Sequence, residues 1–140
     1  MQGWSSQQTC LFLEHLISHS EGGNDIQCAE QPFPSTLLDV LDSAYSFSAS
    51  RNAEITLRWL SLCLRSHYEK VLPQVVDFIT QQGRMKFVRP LYRLLHAVSA
   101  NTAINTFESH KQLYVIKHIC QLFCLMLFVL QLSSHRPQND

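Results

Sequence analysis

An all-α domain of stacked antiparallel helices is the fold this sequence predicts, on three observations. The chain has 140 residues with only four glycines and five prolines, too few turn formers for a β-sandwich of many short strands. Apolar residues make up 46% and recur at three- and four-residue spacing, the period of helices that each bury one face. These helical segments are short and closely joined, the pattern of a stacked helical-repeat domain rather than a long bundle. A chain of this length supports one core and leaves no room for separate catalytic and regulatory domains.

The elements follow in order. A Ser5 or Ser6 N-cap opens a first helix whose apolar side is Leu13, Leu16 and Ile17, with Cys10 and Phe12 near its start. It stops near Ser20. The polar run from Glu21 to Asp25 and on through Pro32-Phe33-Pro34 carries glycines and prolines and reads as a surface loop. A second helix from Pro34 or Ser35 is expected to bury Leu37, Leu38, Leu41 and Tyr45. Ser48-Ala49-Ser50 is expected to cap a third, with Ile55, Trp59, Leu62 and Cys63 on one face; Arg51, Arg58 and Arg65, seven residues apart, read as a solvated row. The fourth helix runs from about Glu69 to Gln82, with Pro73 in its first turn, a Leu72/Val75/Val76/Ile79 stripe, and Gly83 as a left-handed cap. Residues 84–89 are then a connector, Pro90 opens a fifth helix through Ala97, and Ser99 or Asn101 caps a sixth carrying Ile104, Phe107 and Lys111.

Charge and cysteine usage exclude several classes of function. Lys+Arg and Asp+Glu balance at 11 each and charged residues are only 16%, so the chain is neither a disordered tail nor a globally basic nucleic-acid binder. The cysteines at 10, 28, 63, 120 and 124 form an odd set without a Cys-x-x-Cys pair, and the N-terminus lacks a basic region followed by an apolar signal core. A reducing, cytoplasmic location is expected. His15 and His19 are one turn apart, but no Glu follows His15 and no third ligand is nearby, so a structural role is favoured over a zinc site. Cys120 and Cys124 share that spacing inside an apolar run, where small hydrophobes are expected.

One local charge imbalance stands out. Between Asp77 and Glu108 there is no acidic residue, while Arg84, Lys86, Arg89 and Arg93 fall within ten positions. Such a cluster entering a helix N-terminus can hold an anion, since guanidinium and ammonium donors add to free backbone N–H groups and the helix dipole. A solvated basic face is the competing reading. His96, His110 and Tyr92 have no nucleophile or carboxylate placed beside them by sequence and read as structural.

Three runs carry a resemblance: Trp4-Ser5-Ser6-Gln7-Gln8-Thr9; Asn52-Ala53-Glu54-Ile55 with Arg58-Trp59; and Gln82-Gly83-Arg84-Met85-Lys86-Phe87-Val88-Arg89-Pro90-Leu91-Tyr92. They resemble the C-terminal helical domain of the zinc metallo-aminopeptidases of peptidase family M1 that include leukotriene A-4 hydrolase and aminopeptidase B, the last run being most like leukotriene A-4 hydrolase. The likeness extends over roughly Trp4 to Tyr114. It implies an armadillo-like α-α superhelix packed against a thermolysin-like catalytic domain, closing one side of the substrate cleft. The residues matching Arg84 and Lys86 would hold the free carboxylate of a peptide or of a fatty-acid epoxide, which suits a bidentate guanidinium beside a mobile ammonium.

That family's zinc site needs His-Glu-x-x-His with a downstream Glu, and its amine-recognition loop ends in Met-Glu-Asn; neither motif occurs in this sequence. No catalytic or metal-binding residue is therefore assigned, the zinc is expected only in a parent enzyme, and this chain, read as a fragment or short isoform, is expected to be inactive alone. Its expected partners are the parent's catalytic domain and the substrate carboxylate; the rival reading is a non-catalytic helical-repeat module that binds a protein. Domain boundaries are expected at 1–114 for the helical domain and 115–140 for a divergent tail. The apolar stretch from Ile119 to Leu132 would make a helix of roughly 21 Å against a hydrocarbon core of roughly 30 Å. A transmembrane tail anchor is thus the minority reading; the stretch is expected to be membrane-sticky or self-associating and not inserted, with packing onto the flank that the catalytic domain would cover as an alternative.

Overall fold

The computed structural model describes residues 3–20 and 32–117, with the backbone alone for 111–117. Six α-helices make up the described chain: α1 (Ser6–Ser20), α2 (Ser35–Tyr45), α3 (Ala53–Arg65), α4 (Leu72–Gln81), α5 (Met85–Val98) and α6 (Ala100–Lys117), with 3-10 turns at Phe47–Ala49 and Glu69–Val71. No strand occurs among the described residues. The expected cysteine roles at 28, 120 and 124, most of the 21–34 loop, and the apolar tail lie outside the described residues.

Three of the helix starts have a local cause. At α1, the Gln8 N–H donates to Ser5 Oγ (3.2 Å) and the Ser5 N–H to Gln8 Oε1 (2.8 Å), a reciprocal capping box. For α3, Asn52 Oδ1 accepts from the Glu54 N–H at 3.0 Å, so the cap falls on Asn52 and not on Ser48-Ala49-Ser50. Ser48 is instead drawn into the preceding 3-10 turn, where its N–H donates to Asp42 Oδ1 and its hydroxyl receives the Trp59 indole N–H at 3.1 Å. The α6 cap is Ser99, whose carbonyl accepts from the Ala103 N–H at 3.1 Å.

Packing is serial: α1 lies on α3, α3 on α5, and α5 on α4 and α6. Helix α3 is the centre of the stack. Ile55, Thr56 and every residue from Trp59 to Leu64 are buried, so this helix is covered on nearly all sides. Around it sit Leu13, Leu38, Phe47, Val75, Ile79, Leu91 and Leu95, all essentially inaccessible. A run of ring contacts from Trp4 through Phe12, Tyr45 and Phe47 to Trp59 ties the N-terminal helices to α3. Leu37 departs from expectation: it is 39% exposed, and Leu38, Leu41 and Tyr45 carry the α2 contact.

Two local readings are corrected, and both bear on the basic cluster. Among the described residues the left-handed ones are Ser46 and His67 together with Gly3, while Gly83 is not left-handed and α4 ends with Gln82 extended. Residues 85–89 are not a connector, because α5 starts at Met85 and carries Pro90 inside it. A proline there forfeits the hydrogen bond to the Lys86 carbonyl, at a cost of roughly 3 kcal/mol. Phe87, Val88, Leu91, Tyr92 and Leu95 are all buried along one stripe, and at roughly 1.5–3 kcal/mol per fully buried side chain that stripe carries the helix through the proline.

Candidate functional site

The early start of α5 decides where the basic residues sit. Arg84 is the N-cap, in an extended conformation, and Lys86 lies in the first helical turn. The Arg84 carbonyl accepts from the Phe87 and Val88 N–H groups at 3.0 and 3.2 Å, but no side chain caps the helix and its first turn holds no acid. Free backbone donors, the positive end of the helix dipole and two cationic side chains thus coincide at one edge of the stack.

The two cations differ in their surroundings. Arg84 is exposed, and its guanidinium has no partner among the described residues. The Lys86 ammonium pairs with Glu54 Oε1 on the first turn of α3 and lies 5.4 Å from the centre of the Phe87 ring. Glu54 was not assigned a role in the sequence, where it stands 32 residues from Lys86. Only the packing of α3 on α5, with both N-terminal turns at one edge, brings them together.

Glu54 is itself held. Its Oε2 is 2.8 Å from Arg58 Nη1, and Arg58 also pairs with Glu14 Oε1 on α1 at 2.5 Å. The same Nη1 donates to the Glu54 carbonyl at 2.9 Å. Hydrogen bonding from Lys86 and then from Arg58 holds the Glu54 carboxyl below its usual range. Burial pulls the Arg58 pKa down, but the Glu54 and Glu14 carboxylates outweigh it and the net direction is up. Expected as part of a solvated arginine row, Arg58 is a half-buried hub that bridges α1 and α3. Glu54 and Arg58 stand four residues apart, one helical turn, a spacing that could have signalled the pair.

Other sequence-singled groups lie apart. Arg89 and Arg93 are on later turns of α5, and His96 and His110 are half-buried, the latter 3.0 Å from the Thr106 carbonyl. His15 and His19 are exposed on α1, and among the described residues no three His, Cys, Asp or Glu side chains come together as metal ligands. The donor set described does not fit a zinc site. Cys10 and Cys63 are free thiols, both pushed up chiefly by burial, and Cys63 is sealed in the core. No helix among the described residues is long and apolar enough to cross a membrane.

Comparison with known proteins gives one consistent result. The family described as "Leukotriene A4 hydrolase, C-terminal" matches residues 4–122. Leucine aminopeptidase 2 of Emericella nidulans is 33% identical over 114 residues, covering 81% of this chain and 17% of the relative. Leukotriene A-4 hydrolase of Xenopus laevis is 40% identical over 84 residues, covering 59% and 14%. Among solved structures, native yeast LTA4 hydrolase superposes with a TM-score of 0.72 at 27% identity, covering 86% of this chain and 19% of that one. The chain therefore spans less than a fifth of the length of these relatives.

Proposed function

Since the chain belongs to the leukotriene A4 hydrolase C-terminal domain family, we propose that it forms one wall of a peptidase substrate cleft, in which Arg84, supported by Lys86, holds the substrate's free carboxylate. The observation that carries this reading is the state of Arg84: a guanidinium without a partner among the described residues, at a helix start that no side chain caps. A guanidinium in that position offers two parallel N–H donors to a carboxylate, and the backbone N–H groups behind it favour the same charge. Fixing one end of a substrate lowers the entropic cost of bringing its other end to the reacting groups.

Those reacting groups belong to a catalytic domain, the partner that this domain would pack against. Zinc would supply its hydrolytic chemistry there; the residues of this chain bind and orient. Substrates would be peptides, or fatty acids bearing an epoxide, with a free carboxylate in common. The free thiols at Cys10 and Cys63 fit a reducing, cytoplasmic location. We assign the divergent tail to residues 115–140 and the helical domain to 1–114.

The test is a full-length enzyme of this family carrying this domain, assayed on a tripeptide with a free C-terminal carboxylate and on the same tripeptide amidated. Arg84→Ala is expected to reduce kcat/KM selectively for the free acid. Equal loss on both substrates would assign Arg84 to folding instead.

A further inference from the structure

We propose that Glu54 is an internal competitor for Lys86: a carboxylate of the fold that occupies the lysine, so that a ligand carboxylate must share or displace it. This inference rests on the carboxylate-anchor reading and refines it, because it makes Glu54 a residue that sets how much cationic charge the anchor offers.

The geometry carries it. Glu54 uses both carboxylate oxygens, Oε1 toward Lys86 and Oε2 toward Arg58 at 2.8 Å. Arg58 is fixed in turn by Glu14 at 2.5 Å and by the Glu54 carbonyl at 2.9 Å, so the carboxylate is held from α1 and α3 rather than swinging freely. Within this cluster the two cations, Arg58 and Lys86, are matched by the two anions, Glu14 and Glu54, whereas Arg84 stands outside it. Lys86 therefore contributes little net field to an approaching anion.

The contact is also displaceable at the lysine end. The Lys86 side chain is 66% exposed, and an ion pair that wet is worth little and is readily exchanged for another carboxylate. An ammonium has three donors, so a ligand carboxylate reaching a second one would sit close to the Glu54 charge and be repelled by it. Because Lys86 and Arg58 hold the Glu54 carboxyl below its usual range, the competing charge persists at neutral pH.

The experiment uses the 140-residue chain and an N-acetylated tripeptide, as free acid and as carboxamide, at physiological ionic strength. Dissociation constants are read from the backbone amide shifts of Arg84 and Lys86. Glu54→Gln keeps the side chain's shape and one acceptor while removing its charge. It is expected to tighten free-acid binding by about two- to fivefold, the range that an exposed ion pair spans, and to leave the carboxamide unchanged. Glu54→Ala should shift affinity in the same direction, and dispersion of the amide spectrum confirms that each variant is folded. Combined with Lys86→Ala, the gain from Glu54→Gln should largely vanish, since it acts through the lysine. Unchanged or weaker binding in Glu54→Gln, or a gain of the same size without Lys86, would overturn the inference. If neither Arg84→Ala nor Lys86→Ala weakens free-acid binding, the anchor reading itself fails; if both weaken it and Glu54→Gln does not tighten it, only the role of Glu54 fails.

Discussion

Replacing Arg58 by methionine removes the hub of the charge cluster while keeping most of its aliphatic bulk against the helices. Two ion pairs are lost, to Glu14 at 2.5 Å and to Glu54 at 2.8 Å, together with a hydrogen bond to the Glu54 carbonyl. The arginine side chain is only 22% exposed, which places its pairs above typical surface bridges. Its partners retain 50% and 35% exposure, so water takes up the carboxylates once the arginine is gone, and the large penalty of stranding a buried charge does not apply. Two pairs near the upper end of the surface range give a loss of about 1–2 kcal/mol. For a domain of this size that corresponds to a fall in Tm of roughly 3–8 °C. The assay is thermal unfolding of the 140-residue chain by circular dichroism at pH 7, with and without 1 M NaCl. Salt should narrow the difference between wild type and variant, because screening removes part of what the variant lacks. A shift below about 2 °C would show that the cluster contributes nothing. A large shift unchanged by salt would show that packing, and not charge, is what Arg58 supplies.

Three further outcomes follow. Lys86→Ala should cost only about two- to fivefold in kcat/KM on a free-carboxylate substrate, because Glu54 already offsets its charge, whereas Arg84→Ala should cost about ten- to a hundredfold through two charge-assisted hydrogen bonds; the paired assay on free acid and amide measures both. The Asp39 carboxyl is held below its usual range by the Tyr68 hydroxyl and then by Lys70, so its contribution is present above the ordinary carboxylate pKa and is lost as pH falls through the lowered folded value. Tyr68→Phe should therefore flatten the loss of stability between pH 5 and pH 2, read as urea midpoints across that range. Deleting residues after Lys117 should give a more soluble, more monomeric chain with its helical content largely kept, measured by light scattering and circular dichroism; carbonate-resistant membrane retention of the intact chain, lost on deletion, would show a true tail anchor.

Much of the fold was legible because its signals are local. The Ser5 cap of α1, one of the two serines expected there, the Pro34 entry to α2 and the apolar stripe of α4 are all set by residues within one or two turns. Failures came where a distant contact overrode a local rule. Pro90 looked like a helix start, yet the buried stripe from Phe87 to Leu95 propagates the helix through it. Gly83 looked like the left-handed cap, while that conformation falls to Ser46 and His67. At His67 the chain turns with the Tyr68 N–H bonded to the Cys63 carbonyl at 2.9 Å, and no glycine marks the spot.

The candidate site shows the same division. An acid-free window in sequence pointed to Arg84 and Lys86, but absence of acids along the chain says nothing about acids across the fold. Glu54 arrives from α3 and takes up Lys86, which leaves Arg84 as the cation without a described partner. Arg58 was legible only as one of three evenly spaced arginines; what separates it from Arg51 is the proximity of Glu14 on α1, a tertiary fact.

The central claim, that this domain completes a carboxylate-reading peptidase cleft, is tested most directly by complementation. A leukotriene A4 hydrolase-type enzyme truncated of its own C-terminal domain is mixed with this chain, and hydrolysis of a free-carboxylate tripeptide is followed, with each component alone as control. The account predicts that turnover rises with added chain, saturates, and is lost with Arg84→Ala while binding of the two components persists. Saturable association of the two components without any turnover would contradict it and favour a helical module that only binds a protein partner; turnover indifferent to Arg84 would contradict the carboxylate-reading role.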